Sequence, residues 1–173
     1  PGALNIATIT AGSTQHLSAV LFKAEAGIDA QIVTYRTTPD ATVSMLRNDA
    51  QLIVDSYASL KGSVEDKSLV ALAASGAEQS VVLPDVPPAA SVVPGFDATS
   101  WNALFAKKGT PEEALRALNA GLQEVLVEPG VKEKLLELGI VATPSTPADL
   151  GERLAVDIRR WSAVIEKAGI PKQ

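Results

Sequence analysis

Ala3-Leu4-Asn5-Ile6-Ala7-Thr8-Ile9-Thr10-Ala11-Gly12-Ser13-Thr14-Gln15-His16-Leu17 is the stretch whose reading decides the fold. Leu4, Ile6 and Thr8 alternate against Ala3, Asn5 and Ala7, the period of a strand. From Thr14 the period changes: Leu17, Val20, Leu21 and Ala24 recur at helical spacing, and Gly27 supplies the stop. Between strand and helix lies a turn of small residues and hydroxyls. The first turn of a helix carries backbone N–H groups without intrahelical partners, and the helix dipole adds partial positive charge there. A closely approachable backbone flanked by hydroxyls at such a point is a cradle for a carboxylate or a phosphate. The plain alternative is an ordinary N-cap, with Ser13 or Thr14 closing a helix that binds nothing.

The pattern repeats downstream. Residues 31–35 read as a second strand, 39–47 as a short helix carrying Val43, Met45 and Leu46, 51–55 as a third strand ending on Asp55, and 69–74 as a fourth. Strands alternating with helices predict an α/β fold, a parallel sheet with helices on its faces. Pro84, Pro87, Pro88, Pro94 and Gly95 then mark a linker-like stretch, and residues 100–106 read as one more strand. The remainder is helical. Thr110-Pro111-Glu112-Glu113 reads as a capping box with proline at the first helical position, followed by a buried face of Leu115, Leu118, Leu122, Val125 and Leu126. Pro129 and Gly130 break that helix, and residues 131–138 add a turn or two. Thr146-Pro147-Ala148-Asp149 repeats the start signal before a stripe of Leu150, Leu154, Ile158, Trp161 and Ile165, with Gly169 and Pro171 beyond the helix end.

Composition bounds the function. The chain has 173 residues, 46% of them hydrophobic, enough for a real core. A net charge of −5 with no block of lysine or arginine argues against nucleic acid as a partner. No apolar run is long enough to span a membrane, and this chain shows no signal peptide. With no cysteine there is neither a disulfide nor a thiolate nucleophile. The first residue is Pro1 rather than methionine, the mark expected of a processed product or a fragment.

Pro1-Gly2-Ala3-Leu4-Asn5 followed by Gly12-Ser13-Thr14-Gln15-His16-Leu17 resembles the motif that opens the second lobe of the tripartite tricarboxylate transporter substrate-binding proteins, the TctC-like or Bug (Bordetella uptake gene) family. Leu21-Phe22-Lys23, Tyr35-Arg36, Leu83-Pro84-Asp85-Val86-Pro87, Ser100-Trp101, Gly109-Thr110-Pro111 and the tail from Arg160-Trp161 to Ala168-Gly169-Ile170 agree in order and spacing. The resemblance implies a periplasmic-binding-protein-like (type II) bilobed fold that closes over a small carboxylated solute and delivers it to a membrane permease. It implies no catalytic residue, metal or organic cofactor. On that comparison residues 1–94 are lobe 2, and residues 95–173 are the crossing strand and C-terminal helices of an incomplete lobe 1. The missing portion carries the loop that grips the solute's other carboxylate. Apolar helix faces at Leu115, Leu118, Leu122 and Trp161 are then expected to stand open, with self-association as one outcome.

The resemblance nominates Thr8, Thr10, Ala11, Gly12, Ser13 and Thr14 as ligand-binding, the hydroxyls and amides donating to a carboxylate. Asp55 joins them, either accepting from a ligand amine or hydroxyl or holding the Thr8–Thr14 loop, with the second role favoured. His16, Tyr35, Arg36 and Ser56 are secondary candidates: His16 as a loop-fixing residue, Arg36 as a rim charge. Thr10 departs from the family's usual glycine, and a β-branched residue tolerates positive φ poorly. Two other classes stay open: a ligand sensor facing a signalling receptor, and a small hydrolase using Ser13 and His16.

Overall fold

A computed structural model describes residues 2–170; Pro1 and the expected stop at Pro171 lie outside the described residues. The chain falls into two compact units, one of residues 1–100 with 161–173 and one of residues 101–160.

In the first unit the alternating period produces β1 (Leu4–Ile9), β2 (Ala30–Tyr35) and the two-residue β3 (Leu52–Ile53). Among the described residues they form one sheet of order β2-β1-β3, parallel throughout, with Ile6 beside Ile32 on one side and Leu52 on the other. Helices α1 (Thr14–Glu25), α2 (Thr38–Leu46) and α3 (Tyr57–Glu65) follow the three strands in turn.

Because successive strand side chains point to opposite faces, the central strand feeds two cores. Ile6, with Leu4, Ala30, Ile32 and Leu52, packs against Ala19 and Phe22 of α1. Ala7, with Tyr35 and Ile53, packs against Ala41 and Met45 of α2. Helices α1 and α2 therefore cover opposite faces. A third cluster joins Leu21 of α1 to Ala89, Val93, Phe96 and Ala98, with Trp161 and Val164 packed against it. Phe22 and Phe96 meet edge to face at 5.5 Å between ring centroids.

Two expected strands are absent among the described residues. Residues 69–74 are irregular, tied by a backbone bond from the Leu69 N–H to the Ser63 carbonyl and an isolated bridge from Ala74 to Pro88, with Val70 and Leu72 exposed. Residues 100–106 are likewise irregular, and Leu104 and Phe105 are exposed. Both segments have strand-like composition, but neither finds a partner edge, and a strand without a ladder leaves its backbone to water.

The second unit is helical: α4 (Glu112–Val127), α5 (Pro129–Glu137) and the first part of α6 (Pro147–Lys167), whose last turns belong to the first unit. The two capping signals part company here. At Thr146 the box closes: its hydroxyl and backbone N–H donate to the Asp149 carboxylate, and the Asp149 N–H donates back to the hydroxyl. Those two donors hold the Asp149 carboxyl below its ordinary value. At Thr110 the hydroxyl donates to the Lys107 carbonyl instead, Pro111 takes the cap position in extended conformation, and α4 starts one residue late. The stripe expected to be buried on α4 is open: no residue of α4, α5 or α6 is fully buried among the described residues, and Leu118 is 61% exposed. Within this unit the Trp101 indole N–H donates to Asp157, and the Arg153 guanidinium lies over the same ring.

Candidate functional site

The sheet order marks the candidate site. The chain runs from β1 outward to β2 and then returns past β1 to β3, and the two crossovers, through α1 and α2, pass over opposite faces of the sheet. In open parallel sheets ligands bind beyond the carboxyl ends of the strands at such a reversal. The residues at that point are the Thr10–Ser13 turn after β1 and Asp55 after β3.

The turn is held tightly. The Thr10 N–H donates to the Tyr35 carbonyl at 3.1 Å, and the Ser13 N–H donates to the Thr10 carbonyl at 3.0 Å. Closing it takes left-handed backbone at two positions, φ +28° at Thr10 and +81° at Gly12. Glycine meets this at no steric cost; threonine does not. Ser13 is the N-cap of α1. Its hydroxyl accepts from the His16 N–H at 3.2 Å and donates its own proton to the Ile9 carbonyl at 2.7 Å. Thr8 is buried, and its hydroxyl is also directed at the Ile9 carbonyl.

His16 Nδ1 accepts from the Gly12 N–H at 3.2 Å, which leaves the ring proton on Nε2. Burial lowers the pKa of the ring, favouring this neutral form. Nucleophile and base do not meet: the Ser13 hydroxyl bonds the backbone of His16, while the ring faces Gly12. The geometry of a serine–histidine pair is thus missing.

After these bonds are assigned, the N–H groups of Ala11, Thr14 and Gln15 have no hydrogen-bond partner among the described residues. Ala11, Gly12, Thr10 and Thr14 are all exposed. Three open amides at a helix start form a patch of partial positive charge facing water.

Asp55 gathers the neighbouring elements. One carboxylate oxygen accepts from the Ser56 N–H at 2.7 Å and from the Gln15 side-chain amide at 3.2 Å. The other accepts from the Thr38 hydroxyl at 2.6 Å. Gln15 and Thr38, both on first turns of helices, are partners that the sequence did not single out. The Thr-Thr-Pro-Asp run at 37–40 carries a capping signal that puts Thr38 on the first turn of α2. Tyr35 contributes through its backbone and packs its ring on the Ala7 side of the sheet. Arg36 is exposed and forms no ion pair among the described residues. The Ser56 hydroxyl shares a hydrogen bond with Ser59.

Two open grooves lie away from this loop. One lies on α4, between Leu115, Arg116, Asn119, Gln123 and Pro147; the other lies at the opposite end of β1, between Leu4, Ile28 and Asp29. No group of three or more histidine, cysteine or acidic residues suited to a metal occurs among the described residues. No helix among them is long and apolar enough to cross a membrane.

Comparison with known proteins gives a consistent result. A relative from Pseudomonas sp. (strain P51), a UPF0065 protein of the tcbD-tcbE intergenic region, is 30% identical over 167 residues, covering 95% of this chain and 50% of its own length. The R. palustris protein Rpa4515, solved with adipate, superposes with a TM-score of 0.84 at 29% identity, covering 98% of this chain and 57% of that one. MatC from Rhodopseudomonas palustris, solved with bound malate, gives 0.73 at 28% identity, covering 94% and 56%. The chain thus spans about half the length of these proteins. The profile of the TctC family, described as the tripartite tricarboxylate transporter family receptor, matches residues 1–170. With that match running through the whole described length, the chain belongs to the TctC receptor family, a family of solute-binding proteins and not of enzymes.

Proposed function

We propose that this chain supplies one jaw of a periplasmic receptor that captures a small di- or tricarboxylate and presents it to the membrane permease of a tripartite tricarboxylate transporter. The observation that carries this reading is the set of open amides at Ala11, Thr14 and Gln15, placed at the reversal of the sheet. A carboxylate seated there accepts from these amides and from the hydroxyls of Thr10 and Thr14, while Thr8, Ser13 and His16 frame the turn. Charge-assisted bonds of this type are worth about 1.5–3 kcal/mol each, so a few of them orient an acid without an arginine. Two R. palustris relatives were solved with adipate and with malate, both dicarboxylates, which supports this ligand class.

In this reading residues 1–94 form one lobe, and residues 95–173 complete a second whose remaining strands are not in this sequence. The open faces of α4 and α6 are what that remainder covers; without it, they are surfaces for self-association. Closure of two lobes around the solute converts occupancy into a shape that the permease reads.

Amide NMR of this chain titrated with millimolar malate or adipate tests the carboxylate site. Shifts are expected at Ala11, Thr14 and Gln15, with none from the dimethyl ester of adipate. Equal shifts from acid and ester, or shifts confined to other residues, would remove the basis of the proposal.

A further inference from the structure

The side-chain network around Asp55 is surplus to helix capping. Helix α1 is already capped by Ser13, and α2 by Thr37, whose hydroxyl accepts from the Asp40 N–H and donates to its carboxylate. Neither helix needs the Gln15 side chain or the Thr38 hydroxyl to begin. Both groups reach instead to one carboxylate on a third element, just beyond β3. A carboxylate is rigid and planar, so fixing one oxygen against Thr38 fixes the other against Gln15 and Ser56. Bonds to an ionised acceptor are also the strong ones. Gln15 is also one of the three residues whose backbone N–H stands open at the head of α1.

We infer that Asp55 is a positioning residue that couples the starts of α1 and α2, so that the Thr38 hydroxyl, on α2, sets the order of the amides at the head of α1. The coupling stands on hydrogen-bond geometry alone; its consequence for solute affinity rests on the proposed carboxylate site. Asparagine at position 55 has only one acceptor oxygen, and its amino group would face the donors of Thr38 or Gln15. Valine at position 38 keeps the shape of threonine and removes the donor, whereas serine keeps the donor.

Amide hydrogen exchange of the full chain reads the coupling without a ligand. Thr38→Val and Asp55→Asn are each expected to speed exchange at Gly12, Ser13, His16 and Leu17 by about five- to tenfold, the scale of coupling between packed residues. Thr38→Ser should restore the native rates, and the double variant Asp55→Asn with Thr38→Val should exchange no faster than Asp55→Asn alone. Native rates at the head of α1 in Thr38→Val overturn the inference. So does a uniform increase that includes Ile32 and Val33 of β2, because that is global loosening. A parallel titration with adipate should show weaker binding in Thr38→Val, rescued by Thr38→Ser. If the native chain does not bind adipate, the carboxylate-site reading is what suffers, and the exchange rates still decide the coupling.

Discussion

Replacing Thr10 with glycine should stabilise the first unit, and replacing Gly12 with alanine should destabilise it. Thr10 is exposed, sits at φ +28°, and is pinned on both sides by backbone bonds to Tyr35 and Ser13. Its side chain makes no hydrogen bond among the described residues, so nothing repays its conformation. Left-handed backbone costs an L-residue about 1–2 kcal/mol. Glycine removes that cost but gains unfolded-state freedom worth about 0.5–1 kcal/mol, leaving a net gain of about 0.5–1 kcal/mol. At Gly12 a Cβ would meet nothing within 4 Å, so the penalty there is purely conformational. The left-handed cost of about 1–2 kcal/mol, offset by about 0.5–1 kcal/mol from the restricted unfolded chain, leaves Gly12→Ala destabilised by about 0.5–1 kcal/mol. A chain of two compact units need not unfold in one step, so the assay must report on the right one. Trp161 packs on the cluster of Leu21, Val93 and Phe96, and its fluorescence in a Trp101→Phe background follows that unit through a urea titration. A Thr10→Gly midpoint at or below that of the parent, or an unshifted Gly12→Ala midpoint, would refute the reasoning.

Three further outcomes follow from the same bonds. The His16 pKa is lowered in the fold, so the unfolded chain binds more protons just below the ordinary histidine value, and stability falls as pH drops through that range. Protection of the Gly12 N–H, measured against its intrinsic exchange rate at each pH, should fall on acidification as the protonated ring stops accepting from it, and His16→Gln should flatten that dependence. Thr146→Ala should cost about 1 kcal/mol because it opens a formed cap, while Thr110→Ala should be close to neutral; thermal melts of the two variants separate them. With Leu104, Phe105 and Leu118 exposed, this chain should sediment as a concentration-dependent oligomer, and Leu118→Glu should shift it toward monomer; a monomer at every concentration would contradict that expectation.

The regular elements that were legible are those whose pattern and partners are local. Leu4, Ile6 and Thr8 alternate and pair with a strand built from the next such run, so β1 and β2 could be read directly. Val70 and Leu72 carry the same kind of signal, but a strand exists only where another edge accepts it, and composition cannot show which edges are taken. Helix α3 is weakly marked although Tyr57, Leu60 and Val64 keep helical spacing, because Ser59, Gly62 and Ser63 dilute the propensity. Thr110 and Thr146 present nearly the same four residues and behave differently, since the Lys107 carbonyl competes for one hydroxyl and not for the other. At the site, the cap at Ser13 was visible as a local pattern. The Gln15–Asp55–Thr38 contacts join three elements and needed the sheet order to become visible.

The cluster built on Leu21 has a consequence for synthesis. Its partners Phe96, Trp161 and Val164 come progressively later in the chain, and Trp161 and Val164 lie on the last helix. A ribosome therefore releases the strands and α1 long before the side chains that finish covering Leu21 have been made. Throughout that interval the nascent chain carries an incompletely sealed apolar surface, which is the kind of surface chaperones hold.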